Sequence, residues 1–167
     1  MNFYYVADFN LPSFRAYVIH VIKMVDKFNL ISTKTELIIP YSKKNYNFQK
    51  IKKDFLLSSR KRFKIINIFK KLKNISFLSR LFFGLSSAIY LKNKSGIILT
   101  RNFYCSFFLI FFKKKHFLET HSELSGFTKF LFLNLNFMKS KFIINNIFIT
   151  KSLKNFYKNK ANNHFII

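Results

Sequence analysis

Lys113-Lys-Lys-His-Phe-Leu-Glu-Thr-His-Ser-Glu123 is the stretch on which the fold turns. Its middle, Lys115 to Glu119, reads as a short strand that breaks off into a polar cluster of Glu119, Thr120, His121, Ser122 and Glu123. Of the chain's six acids and four histidines taken together, three fall in that cluster, which marks it as chemistry rather than as a turn alone. Upstream, Gly96-Ile-Ile-Leu-Thr-Arg-Asn102 carries a second strand signal, and Phe103 to Phe112 between them is an apolar run of helical length. Strand, helix and strand with short joints predict a parallel pair, because a crossover helix returns the chain to the same end of the sheet. Ligands of open α/β sheets bind just beyond the carboxyl ends of the strands. Arg101 and His121 both fall there.

The same alternation runs outward in both directions. Asn2–Ala7 reads as a first buried strand, and Arg15–Phe28 as a helix with an apolar stripe through Val18, Ile19, Ile22 and Val25. Ser13 is the expected N-cap of that helix. Thr35–Ile39 is a strand that Pro40 stops, Tyr41–Lys61 is polar and basic with one helix at Phe48–Leu57, and Phe63–Asn67 is a third strand. Ile75–Leu91 is a helix closed by Lys92–Gly96. Beyond the central stretch come helices at Gly126–Lys139 and Lys151–Asn159, a strand at Phe142–Ile149, and the opening of another strand at Asn163–Ile167. The expected fold is α/β: a Rossmann-like, doubly wound, mainly parallel sheet with helices on both faces, in a single domain spanning 1–167.

Half of the residues are hydrophobic, enough for a packed core in spite of the charge. The formal net charge of +24 has two explanations: an anionic partner, nucleic acid or membrane, or the codon usage of an AT-rich genome, which raises Lys, Asn, Ile and Phe together. No RRM, zinc-finger or helix-turn-helix signature is present, so no specific nucleic acid is expected. The lone Cys105 excludes an internal disulfide and a multi-thiolate zinc site. No secretory signal and no run of about 20 apolar residues is found. The expected location is cytoplasmic, with peripheral contact to the inner membrane face as a further candidate through Lys113–Lys115 or the basic segment Tyr41–Arg62.

The helix following the first strand offers free N–H groups to an anion, and Arg15 could add a bidentate contact. There is no glycine in Asn10-Leu-Pro-Ser-Phe14, so neither a dinucleotide fingerprint nor a P-loop is present. Taken alone, His20 and Lys23 read as solvated surface residues. His121 has two readings: a proton-sharing group near neutral pH, or a structural histidine at a strand end. His116 and His164 read as structural. No spacing resembles a zinc box, and no metal is expected.

In succession, Arg15-Ala-Tyr-Val-Ile-His-Val-Ile-Lys-Met24, Thr35-Glu-Leu-Ile-Ile-Pro40, Ile98-Leu-Thr-Arg-Asn102, Glu119-Thr-His-Ser122 and Phe148-Ile-Thr-Lys-Ser-Leu-Lys154 resemble the N-terminal half of family 4 glycosyltransferases, which have the GT-B fold. The resemblance covers nearly the whole chain. It implies an acceptor-binding half of a retaining, nucleotide-sugar-dependent enzyme of the kind that builds cell-envelope polysaccharide, with no metal or other cofactor. His121 would stand beside the transferring sugar as the catalytic residue, with Arg15, His20, Arg101, Glu119 and Thr150 lining the cleft. The implied partners are a glycan or lipid-linked acceptor and a donor-binding half, in cis or as a separate chain. The paired glutamates of that half have no counterpart here. The chain is therefore expected to be a fragment, a split-gene product or a remnant, inactive by itself.

Overall fold

The computed structural model describes residues 1–59, 61–69, 77–124, 126–130, 136–158, 161 and 164–166. The elements are β1 (Asn2–Val6), β2 (Asn10–Leu11), α1 (Ala16–Ile31), β3 (Lys34–Ile39), β4 (Tyr41–Ser42), α2 (Phe48–Phe55), β5 (Lys64–Asn67), α3 (Phe77–Leu91), β6 (Ile97–Thr100), α4 (Phe103–Phe111), β7 (His116–Thr120), α5 (Gly126–Lys129), β8 (Ile143–Phe148), α6 (Lys151–Tyr157) and β9 (His164–Ile166). Seven strands form one sheet in the order β5-β3-β1-β6-β7-β8-β9, and every neighbouring pair is parallel. This is the Rossmann-like, doubly wound arrangement. The chain moves outward from β1 through β3 to β5, then crosses back to β6 and moves outward the other way.

Side-chain alternation builds the two layers around β1. Phe3, Tyr5 and Ala7 pack with Val18, Val21, Ile22 and Val25 of α1 and with Ile51 and Phe55 of α2. Tyr4 and Val6 point the other way, onto Phe83, Ala88 and Leu91 of α3 and Cys105 and Leu109 of α4. The period of two along the strand meets helical spacings of three and four along α1. Each large apolar side chain so enclosed contributes about 1.5–3 kcal/mol. A third cluster under β7 and β8 joins Leu118 and Phe148 to Leu153 and Tyr157 of α6, with Phe107 of α4 against it. Among the described residues no helix is long and apolar enough to cross a membrane.

Three expectations are corrected. Arg15, not Ser13, is the N-cap of α1, and it makes no side-chain cap hydrogen bond. The helix expected over Gly126–Lys139 is not continuous: α5 is short, Asn136 takes a left-handed conformation (φ 53°, ψ 27°), and Phe137–Lys139 is a separate 3-10 turn. A helix cannot run through a left-handed residue. The segment Tyr41–Lys61, read as irregular outside one helix, also contributes β4, which pairs with β2 in a small parallel ladder. Residues 75 and 76, expected to open α3, and Asn159, expected to end α6, lie outside the described residues.

Candidate active site

The carboxyl ends of β1, β6 and β7 lie side by side at the centre of the sheet, where the strand order reverses. Parallel neighbours splay their connecting helices to opposite faces at this point, which leaves a crevice between the loops. A cleft of about 520 Å³ opens there, with Asp8, Arg80, Arg101, Asn102, Ser122 and Glu123 among its lining residues. Asp8 follows β1 and pairs with Arg80 of α3 at 3.6 Å. Arg101 follows β6; its backbone N–H donates to the Val6 carbonyl at 3.0 Å. Its guanidinium lies 5.6 Å from the centre of the Tyr17 ring and donates to the Tyr17 carbonyl, a cation–π contact that fixes it to α1.

Next to this cleft, Glu119 carries the densest set of polar contacts. It stands two residues beyond Phe117 in β7 and therefore faces the α1 layer, as Tyr5 does from β1. Its side chain is wholly buried. The Tyr5 hydroxyl donates to Oε2, and Oε1 is in hydrogen-bond contact with Nε2 of His121, just past the strand end. His20 reaches in from α1 and brings its Nε2 to 3.5 Å from the same Oε1. That nitrogen is buried and has no hydrogen-bond partner among the described residues, so its link to Glu119 is electrostatic rather than a made hydrogen bond. The two imidazole rings meet edge to face, 5.8 Å between centres.

Burial alone would push the Glu119 carboxyl up; the hydrogen bonds from His121 and Tyr5, with His20 close by, outweigh it and hold the group at about 2. Glu119 is thus a carboxylate across the ordinary pH range. The Tyr5 hydroxyl is driven well above its usual value, first by its own burial and then by the Glu119 charge beside it. A carboxylate that takes the Nε2 proton fixes the His121 tautomer, and in the neutral ring Nδ1 is then the lone-pair acceptor. Such an imidazole can take a proton from, or hydrogen-bond to, a hydroxyl presented at the strand end.

The other expected residues divide. Arg15 sits exposed at the start of α1, on the same edge of the sheet, and its carbonyl accepts from Val18 and Ile19. Thr150 follows β8, but its hydroxyl accepts from the Leu153 N–H at 3.2 Å and so caps α6. His20 departs from its reading as a solvated residue: it is half-buried and turned onto Glu119. Tyr5, Asp8, Tyr17 and Arg80 were not singled out as site residues. A tyrosine inside an apolar strand looks like core, and the sequence gives no sign that its hydroxyl finds a partner 114 residues away. Comparison with protein-family models, with curated proteins and with solved structures yields no match.

Proposed function

We propose that the chain is the acceptor-binding half of a retaining glycosyltransferase, passing a sugar from a nucleotide-sugar to a glycan or lipid-linked acceptor once a donor-binding half joins it. The observation that carries the reading is His121, oriented by the buried Glu119 and followed in the chain by Ser122, which lines the cleft at the switch point of a Rossmann-like sheet. That is the position at which the ordered motifs from Arg15 to Lys154 put a histidine beside the transferring sugar. Arg101, with Arg80 in its pair with Asp8, supplies positive charge to the cleft, and Ser122 supplies a hydrogen-bonding group for hydroxyls. Thr150, spent on its helix cap, is the weakest member of the expected lining.

Glycosyl transfer needs the acceptor hydroxyl and the anomeric carbon held about 3–3.5 Å apart, and one wall of a cleft cannot impose that. An acceptor half by itself would lack most of the electrostatic stabilisation of the leaving nucleotide. Co-expression with a donor-binding Rossmann-like half is expected to give sugar transfer that neither part gives alone. His121→Ala in the joined enzyme is expected to lower kcat by about 10²–10⁴-fold. Vigorous transfer by the 167-residue chain alone overturns the division of labour, and a joined enzyme indifferent to His121→Ala removes His121 from the site.

A further inference from the structure

We infer that His20, Glu119 and His121 form a binding site for one divalent transition-metal ion of the zinc or cobalt type. Their ligand atoms, the two Nε2 nitrogens and Glu119 Oε1, all lie within 4.8 Å of one another. Two imidazoles and one carboxylate are a donor set that suits zinc and its neighbours and leaves a coordination position open. With metal–ligand bonds of about 2.0–2.2 Å, tetrahedral donors stand roughly 3.4 Å apart. His20 Nε2 and Glu119 Oε1 are 3.5 Å apart already. That pair already stands at ligand spacing; His121 Nε2, which is hydrogen-bonded to the same oxygen, would pass its proton to Nδ1 and draw back from Oε1 to complete the set.

Two further features point the same way. Among the described residues the buried His20 Nε2 has no hydrogen-bond partner, a polar atom beside an acidic oxygen and left unsatisfied. An unmet buried nitrogen is costly, and a metal bond would satisfy it. Tyr5 binds Oε2, which leaves Oε1 as a single, oriented ligand atom. Outer contacts of this kind are what hold metal ligands in place. The three ligands come from a helix, the end of a central strand and the residue just beyond it, so the site rests on rigid elements. His20 and His121 keep 37% and 19% of their side-chain surface exposed, which gives an ion its way in and leaves room for a water or ligand. The spacing 20, 119 and 121 conceals the set in sequence: only two of its members are near neighbours, and the third is delivered by the fold.

The site does not rest on the glycosyl-transfer reading, because it is measured on the chain alone with no donor half or sugar present. The probe is Co²⁺, followed through its visible absorption bands, with Zn²⁺ displacement and calorimetry as the second measurement. One ion per chain is expected, displaced by Zn²⁺ but not by Mg²⁺, which prefers an all-oxygen shell. His20→Ala and His121→Ala should each weaken binding more than tenfold, and Tyr5→Phe by about tenfold through its hold on Glu119. Circular dichroism checks that the variants fold, and Glu119→Gln, close to isosteric, serves if an alanine variant does not. No saturable binding, binding unchanged in His20→Ala, or displacement by Mg²⁺ overturns the proposal.

Discussion

At the scale of single residues, the buried groups divide into those that stay charged and those that stay neutral. His116 opens β7 with no exposed surface, between Ser106 Oγ at 2.7 Å and the Lys114 carbonyl at 2.9 Å. Burial lowers it to about 4 from an ordinary 6.5, against the Lys114 carbonyl, which favours the charged ring. Between those two values the unfolded chain takes a proton that the folded one refuses. The contribution is thus complete above pH 6.5 and is lost as the pH falls toward 4. The loss is about 3 kcal/mol at most. Urea unfolding across that window should show the decline, and His116→Gln should flatten it; an unchanged slope would acquit His116. Tyr5→Phe leaves a buried carboxylate oxygen without its donor and should cost about 1–3 kcal/mol in the same assay. The Glu119–His121 pair was legible because two positions on one strand end are neighbours whatever the fold. Tyr5 was not, and His20 was named for the cleft only through the resemblance, since each joins Glu119 only after β1, α1 and β7 have been brought together.

Among the elements, α3 and α4 show how a single atom fixes the floor of the cleft. A Cβ on Gly84 would stand 2.6 Å from the Cys105 nitrogen and 2.8 Å from Asn102 Oδ1. That oxygen accepts from the same nitrogen at 2.7 Å and is the N-cap of α4. On an open helix face Gly→Ala would stabilise by about 1 kcal/mol. Here the obstacle is backbone, which cannot swing away as a side chain tip can. Gly84→Ala is expected to destabilise by about 1–3 kcal/mol instead, and a raised urea midpoint would show that the two helices can separate without loss. Sequence periodicity located α1, α3, α4 and the strands of the seven-stranded sheet because each buries a regular face, and it missed the two-residue strands β2 and β4. It failed at Gly126–Lys139, where apolar residues continue at helical spacing past Asn136 while the backbone there has turned left-handed. It failed also at Ser13, since a good capping residue does not oblige the helix to begin beside it.

Over the whole molecule, the switch point follows from one reversal: after β5 the chain returns to pair with the far side of β1, and the carboxyl ends of β1 and β6 become neighbours. Alternating strands and helices announced a parallel sheet, but buried strands carry similar apolar runs and did not announce their order. Charge is the other property of the whole. Five of the six acids are engaged within the fold: Asp8 by Arg80, Asp26 by Ser58 and Ser59, Glu36 by Lys34 and Tyr90, Asp54 by Tyr46, and Glu119 by Tyr5 and His121. Little negative charge remains on the surface to offset 30 lysines and arginines. The chain is expected to bind single-stranded RNA through the phosphates alone, by releasing condensed counterions. With about 4–6 phosphates neutralised, raising salt from 50 to 200 mM should weaken binding about 50- to 300-fold. Homopolymer and mixed-sequence RNA should bind equally in a filter assay across that range. A marked sequence preference, or affinity that survives the higher salt, would mean base-edge or stacking contacts. That result would favour a nucleic-acid function over an acceptor cleft.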